Sequence, residues 1–169
     1  VNPALAEKTR LDLESFIETE YPAVVGAVGL ITGNRQDAAD AVQDALVGFL
    51  AKPPRHPVEN IAAWITVVAS NRVRDGYRRK DAESRALQKL GEPEIATTDA
   101  VVGLDRDVVA ALRELPRRQR QVCVLHYLLD QSVTTIAEGL GVAEGTVKTQ
   151  LHRARTALAA RLRKEDHHG

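Results

Sequence analysis

The feature that most constrains the fold is the stretch VTTIAEGLGVAEGTVKTQLHRARTAL, Val133–Leu158, with Ser132 in front of it. A serine placed there caps a short helix whose Ile136, Ala137 and Leu140 face one side. Gly141 suits the left-handed residue that ends such a helix, and Val142 plugs the corner. From about Glu144 a second helix sets Val147, Leu151, Ala154 and Leu158 at three- and four-residue steps. Its other face offers Thr146, Lys148, Thr149, His152, Arg153 and Arg155. A glycine corner, a small residue at the crossing (Ala137) and two apolar seams are what two tightly crossing helices need, and they predict a helix-turn-helix within Val108–Leu162. In that motif the start of the second helix meets base edges, while arginines further along meet phosphates. Glu138 and Glu144 bring acids to the same place, where a carboxylate accepts from cytosine N4. A plain helical hairpin with a solvated basic face is the competing reading.

The formal net charge is zero, which by itself argues against a nucleic-acid binder, but the charge is laid out in blocks. Val1–Lys52 holds four Lys and Arg against eight Asp and Glu, and Pro53–Ala82 holds six against three. Glu83–Asp107 holds three against six, and Val108–Gly169 ten against six. A basic block is the footprint that a phosphate backbone requires, since each neutralised phosphate releases counterions. An acidic block fits a basic protein partner instead. Cys123 is the one cysteine, so no internal disulfide forms and a reducing compartment is expected. No apolar run approaches the roughly 20 residues of a bilayer span. The opening VNPALAEKTR lacks the order of a signal peptide, so a cytoplasmic protein is expected.

Strand alternation is weak and helical spacing strong, so the fold class expected is all-α. One helix is predicted from Leu11 to about Ile31, ended by Gly33-Asn34. A second, about Arg35 to Ala51, buries Ala38, Val42, Ala45, Leu46 and Phe49 and keeps Asp37, Asp40, Gln43 and Asp44 polar. KPPRHP (Lys52–Pro57) is a rigid, basic loop. A third helix, about Asn60 to Lys80, begins apolar around Trp64 and ends in Arg72, Arg74, Arg78, Arg79 and Lys80. Residues 83–105 read as a linker, and the organisation is two small helical domains, 11–82 and 106–163, joined flexibly.

Taken together these segments resemble the extracytoplasmic-function (ECF) sigma factors, the small promoter-recognition subunits of bacterial RNA polymerase. Ala111–Leu158, with its LP-x-R-x-R opening at Leu115–Arg120, looks like their region 4. Asp37–Leu50 looks like the region 2 helix that docks on the polymerase clamp. Asn60–Lys80 looks like the segment that melts and reads the −10 element. The likeness runs from about Asp12 to Leu162. Ala39, Ala41, Gly48 and Leu50 depart from the bulkier or charged residues usual in the clamp helix. Ala143 and Thr135 replace common capping residues of the helix-turn-helix.

The resemblance implies core-polymerase contacts from Asp37, Asp40, Gln43 and Asp44. It implies −10 contacts from Asn60, Asn71, Arg72, Arg78 and Arg79, with a flipped base held near Pro53–Asn60. It implies −35 contacts from Arg118, Arg120, Glu144, Thr146, Lys148, Thr149, His152, Arg153 and Arg155. The implied partners are core RNA polymerase (clamp and flap), promoter DNA and an anti-sigma factor, with no membrane insertion and a monomer outside these complexes. No catalytic residue, metal or cofactor is implied, because polymerase does the chemistry. A linker of twenty-odd residues reaches about 70–80 Å, so two small domains can grip separated promoter elements. With seven residues after Leu162 no further domain is expected, which leaves control to a partner, expression or proteolysis. Trp64 at an apolar position reads as core rather than a stacking platform. Cys123 and His126 sit three apart, but Cys123 lies among Val122, Val124 and Leu125 and reads as a buried structural cysteine. The rival function is a stand-alone dimeric helix-turn-helix regulator that binds palindromic operators without polymerase.

Overall fold

A proline divides what the apolar spacing reads as one helix. The computed structural model describes residues 2–55, 58–84 and 104–166, with the side chains of these apart from 77–84 and 165. In place of the expected Leu11–Ile31 helix it has α1 (Pro3–Thr19) and α2 (Tyr21–Thr32). Pro22 has no N–H to give, and inside a continuous helix its ring would strike the carbonyl four residues back. The chain therefore turns at Glu20, whose N–H still bonds the Phe16 carbonyl at 2.9 Å. Pro22 is then left in the first turn of α2, where its missing donor is harmless.

Gly33, at φ 85°, closes α2, and Asn34 opens α3 (Arg35–Ala51) by accepting from the Asp37 N–H at 3.0 Å. The proline loop ends α3, and Asn60 caps α4 (Ile61–Ser84) through the Ala63 N–H at 2.9 Å. Leu13, Phe16, Val24, Val28, Val42, Phe49 and Ile65 form the core of this first half. Trp64 lies edge-on against Phe49, ring centres 5.2 Å apart, so it packs as a core residue.

The second half comprises α5 (Arg106–Glu114), α6 (Arg117–Tyr127), α7 (Val133–Leu140) and α8 (Glu144–Asp166). Among the described residues there is no strand, and no helix is long and apolar enough to cross a membrane. Val122, Leu125, Ile136, Ala137, Val147 and Leu151 share one cluster; Leu112, Leu115, Cys123 and Ala154 form another. Most of the predicted linker, residues 85–103, lies outside the described residues.

The halves also pack on each other. α2 carries no charged residue, as a helix covered on all sides must. One flank (Val24, Val25, Val28) faces the first core, while Ala27, Leu30 and Ile31 meet Val124 of α6. From α4, Val67 joins the cluster of the helix-turn-helix.

Candidate nucleic-acid interface

The turn between α7 and α8 is built as its residues require. Ser132 Oγ accepts from the Thr135 N–H at 3.1 Å and donates to Thr135 Oγ1 at 2.9 Å, so threonine engages the cap through its hydroxyl where glutamate is common. Gly141 takes φ 67°, and the Val142 N–H reaches back to the Ala137 carbonyl at 3.0 Å, closing α7 in a Schellman turn. Val147, Leu151 and Ala154 are then buried under α8. Thr146, Lys148, Thr149, His152, Arg153 and Arg155 are all exposed on its other face. This presents the predicted basic and polar face to solvent as one surface.

Two residues outside that face shape it. Thr134 Oγ1 donates to Glu144 Oε1 at 2.8 Å, tethering the acid at the start of α8 to α7 and leaving its other oxygen free of that bond. Tyr127 Oη accepts from Arg155 Nη1 at 3.1 Å. Neither Thr134 nor Tyr127 stands out in sequence, because each acts across a turn rather than along a helical face.

The arginines at the start of α6 have other uses. Arg120 donates to the carbonyls of Ile31 (3.0 Å), Arg113 (2.8 Å) and Leu115 (3.0 Å), clamping α5, α6 and the end of α2. Arg118 donates to Gln121 Oε1 at 3.0 Å. These two, expected among the −35 contacts, are half-buried and apart from the α8 face. Arg117 donates to the Ser70 carbonyl of α4. Burial, with Arg74 and Arg120 close by, pulls the Arg117 guanidinium down to about 10.

On α3, Asp40, Gln43 and Asp44 are exposed, while Asp37 is half-buried in the first turn. Val47 and Leu50 stand exposed one turn further on, extending the acidic face with apolar surface. Arg72 of α4 is exposed and lines a groove with Asp37, Asp40 and Asp44. One of its terminal nitrogens would lie 3.1 Å from any Cβ at Gly48, so a glycine there gives the guanidinium room. Asn60, expected to touch DNA, serves as the α4 cap. Asn71 is half-buried, its Oδ1 3.5 Å from Gln121 Nε2 of α6. The side chains of Arg78 and Arg79 lie outside the described residues. Cys123 is buried, which pushes its thiol up, and among the described residues no three His, Cys, Asp or Glu side chains gather as a metal site.

Comparison with known proteins matches the two halves separately. Residues 16–83 fit the family model for Sigma-70 region 2, and residues 105–158 fit that for Sigma-70, region 4. The chain is 36% identical to the ECF RNA polymerase sigma factor SigL of Mycobacterium tuberculosis, over 82% of each chain. It is 30% identical to SigW of Bacillus subtilis over 78% of each. The solved structure of the sigma factor RpoE in complex with the anti-sigma factor NepR, from Bartonella quintana, superposes with a TM-score of 0.77 at 26% identity. That superposition covers 90% of this chain and 97% of the other, so it takes in both halves together.

Proposed function

The chain belongs to the ECF RNA polymerase sigma factors and directs transcription initiation, and on that premise we propose how its surfaces divide the work. Asp40, Gln43 and Asp44, with Val47 and Leu50 beside them, dock on the polymerase clamp. Arg72 and Asn71 of α4, followed by the basic end of that helix, take the −10 strand as it opens. Thr146, Lys148, Thr149, His152, Arg153 and Arg155 of α8 hold the −35 duplex, with the Thr134-tethered Glu144 at its base-reading end. Arg118 and Arg120 are left out of the DNA set, and Asn60 is kept for capping.

The observation that carries this reading is an acidic face on α3 and a basic face on α8, both exposed on one chain. A DNA-binding regulator without polymerase has no use for the first. Opening the promoter is differential binding, in which contacts to extruded bases offset an unstacking cost of a few kcal/mol. The chain needs no catalytic group for this, because polymerase performs the chemistry. It works in the cytoplasm as a monomer, and an anti-sigma factor holds it silent, a reading supported by the complex of the Bartonella relative with NepR.

In vitro transcription with core polymerase and this chain alone tests the proposal. Defined transcripts are expected from genomic fragments that the chain occupies in the cell. Sequence-specific binding to those fragments with no promoter-dependent transcript, together with a dimer in solution, would establish the stand-alone regulator instead.

A further inference from the structure

Tyr127 closes α6 and is 47% exposed, on a different helix from the basic face of α8. Its Oη accepts from Arg155 Nη1 at 3.1 Å, joining the two helices at the surface. A phenol has one hydrogen to give, and a bond received from arginine leaves it unspent. Among the described residues that hydrogen goes to no acceptor. Arg155 also keeps donors in hand, since a guanidinium carries five N–H groups in a fixed fork. The phenol ring is braced by its neighbour. His126 lies edge-on to it, ring centres 4.8 Å apart. His126 Nδ1 is 2.8 Å from the Gln131 carbonyl, and because a carbonyl only accepts, that nitrogen donates and fixes the imidazole.

Lys148, His152 and Arg155 follow one another at steps of four and three residues, so they run along one flank of α8, and all three are exposed. Tyr127 extends that flank onto α6 with a neutral donor. We propose that Tyr127 Oη and the Arg155 guanidinium form a two-donor seat for one backbone phosphate of the −35 duplex. The phosphate oxygens accept the phenol hydrogen and the free N–H groups of Arg155, while the bond between the two side chains holds both donors at one place. Contacts of this kind fix register and orientation and carry no sequence information. The seat therefore sets where α8 lies on the duplex, and the residues at the start of that helix read the bases. It rests on assigning α8 to the −35 duplex, so the test separates the two.

The full chain, assembled with core polymerase, is titrated onto a −35 duplex taken from a genomic site that it occupies, with core polymerase alone as the blank. Tyr127→Phe keeps the ring and its contact with His126 and removes only the hydroxyl. Affinity is expected to fall about tenfold, the scale of one hydrogen bond to a charged group. The slope of log K against log salt should stay as in the parent, because a neutral phenol displaces no counterion. Arg155→Ala should lower that slope by about 0.9. Methylphosphonate, placed at each backbone position in turn, then locates the contact, since it removes one anionic oxygen. Tyr127→Phe is expected to reduce the cost of that change at least threefold at a single position, and to leave the other positions within about twofold. In the Arg155→Ala background, Tyr127→Phe should still weaken binding about threefold.

Three results overturn the seat: Tyr127→Phe binding within twofold of the parent, no single backbone position at which it lowers the methylphosphonate cost, or no further loss in the Arg155→Ala background. The last would show that the hydroxyl only holds the arginine. A failure of the α8 assignment looks different. Lys148→Ala with Arg153→Ala would then leave affinity for the duplex unchanged. If the seat alone fails, those two substitutions still weaken binding while Tyr127→Phe does not.

Discussion

Arg120 and Arg153 carry the same charge into different surroundings. Arg120 bonds three backbone carbonyls, one at the end of α2 and two at the end of α5, whereas Arg153 stands exposed on α8. Charged donors make stronger bonds than neutral ones, and truncation leaves the buried carbonyls unpaired. Arg120→Ala is therefore expected to lower unfolding free energy by about 2–4 kcal/mol in denaturant melts. Arg153→Ala should leave stability within about 0.5 kcal/mol. Its effect should appear in −35 duplex binding, where the slope of log K against log salt falls by about 0.9 for one lost phosphate contact. The two arginines are indistinguishable in sequence, since a residue inside the LP-x-R-x-R opening looks the same whether it grips a phosphate or a carbonyl. The α8 set was legible because its period separates it from Val147, Leu151 and Ala154.

At the scale of the element, two glycines with equally open surroundings should answer to substitution with opposite signs. A methyl at Gly141 or at Gly76 would meet nothing within 4 Å. Gly141, however, sits at φ 67°, where an L side chain costs about 1–2 kcal/mol. Gly76 lies inside α4 at ordinary helical angles, where alanine gains about 0.5–1 kcal/mol. Thermal melts should therefore place Gly141→Ala below, and Gly76→Ala above, the parent chain. α3, α4, α7 and α8 were readable from apolar spacing, α7 also from its Ser132 cap, whereas α5 and α6 were not delimited one from the other. The break between α1 and α2 was missed because Leu13, Phe16, Val24 and Val28 keep helical spacing across it. Pro22 was the signal, and its clash is a backbone effect that side-chain periodicity does not register.

For the molecule as a whole, the neutral total conceals a division of partners. Asp40→Arg together with Asp44→Arg places two cations on an exposed helix face, so the far-UV circular dichroism and melting point should stay close to those of the parent. Core polymerase binding should be lost while affinity for a −35 duplex is unchanged; unaltered core affinity would show that this face is merely solvated. The packing of one half on the other was not legible, because a linker permits separation and contact alike. The closest clue was the charge-free run Tyr21–Thr32. That helix has a colloidal consequence. When the halves part, Ala27, Leu30, Ile31 and Val124 lose each other and turn an apolar stripe to water, and a buried leucine or isoleucine is worth about 1.5–3 kcal/mol. A chain opened there would expose that stripe and self-associate as its concentration rises; packing of the halves keeps these residues from water.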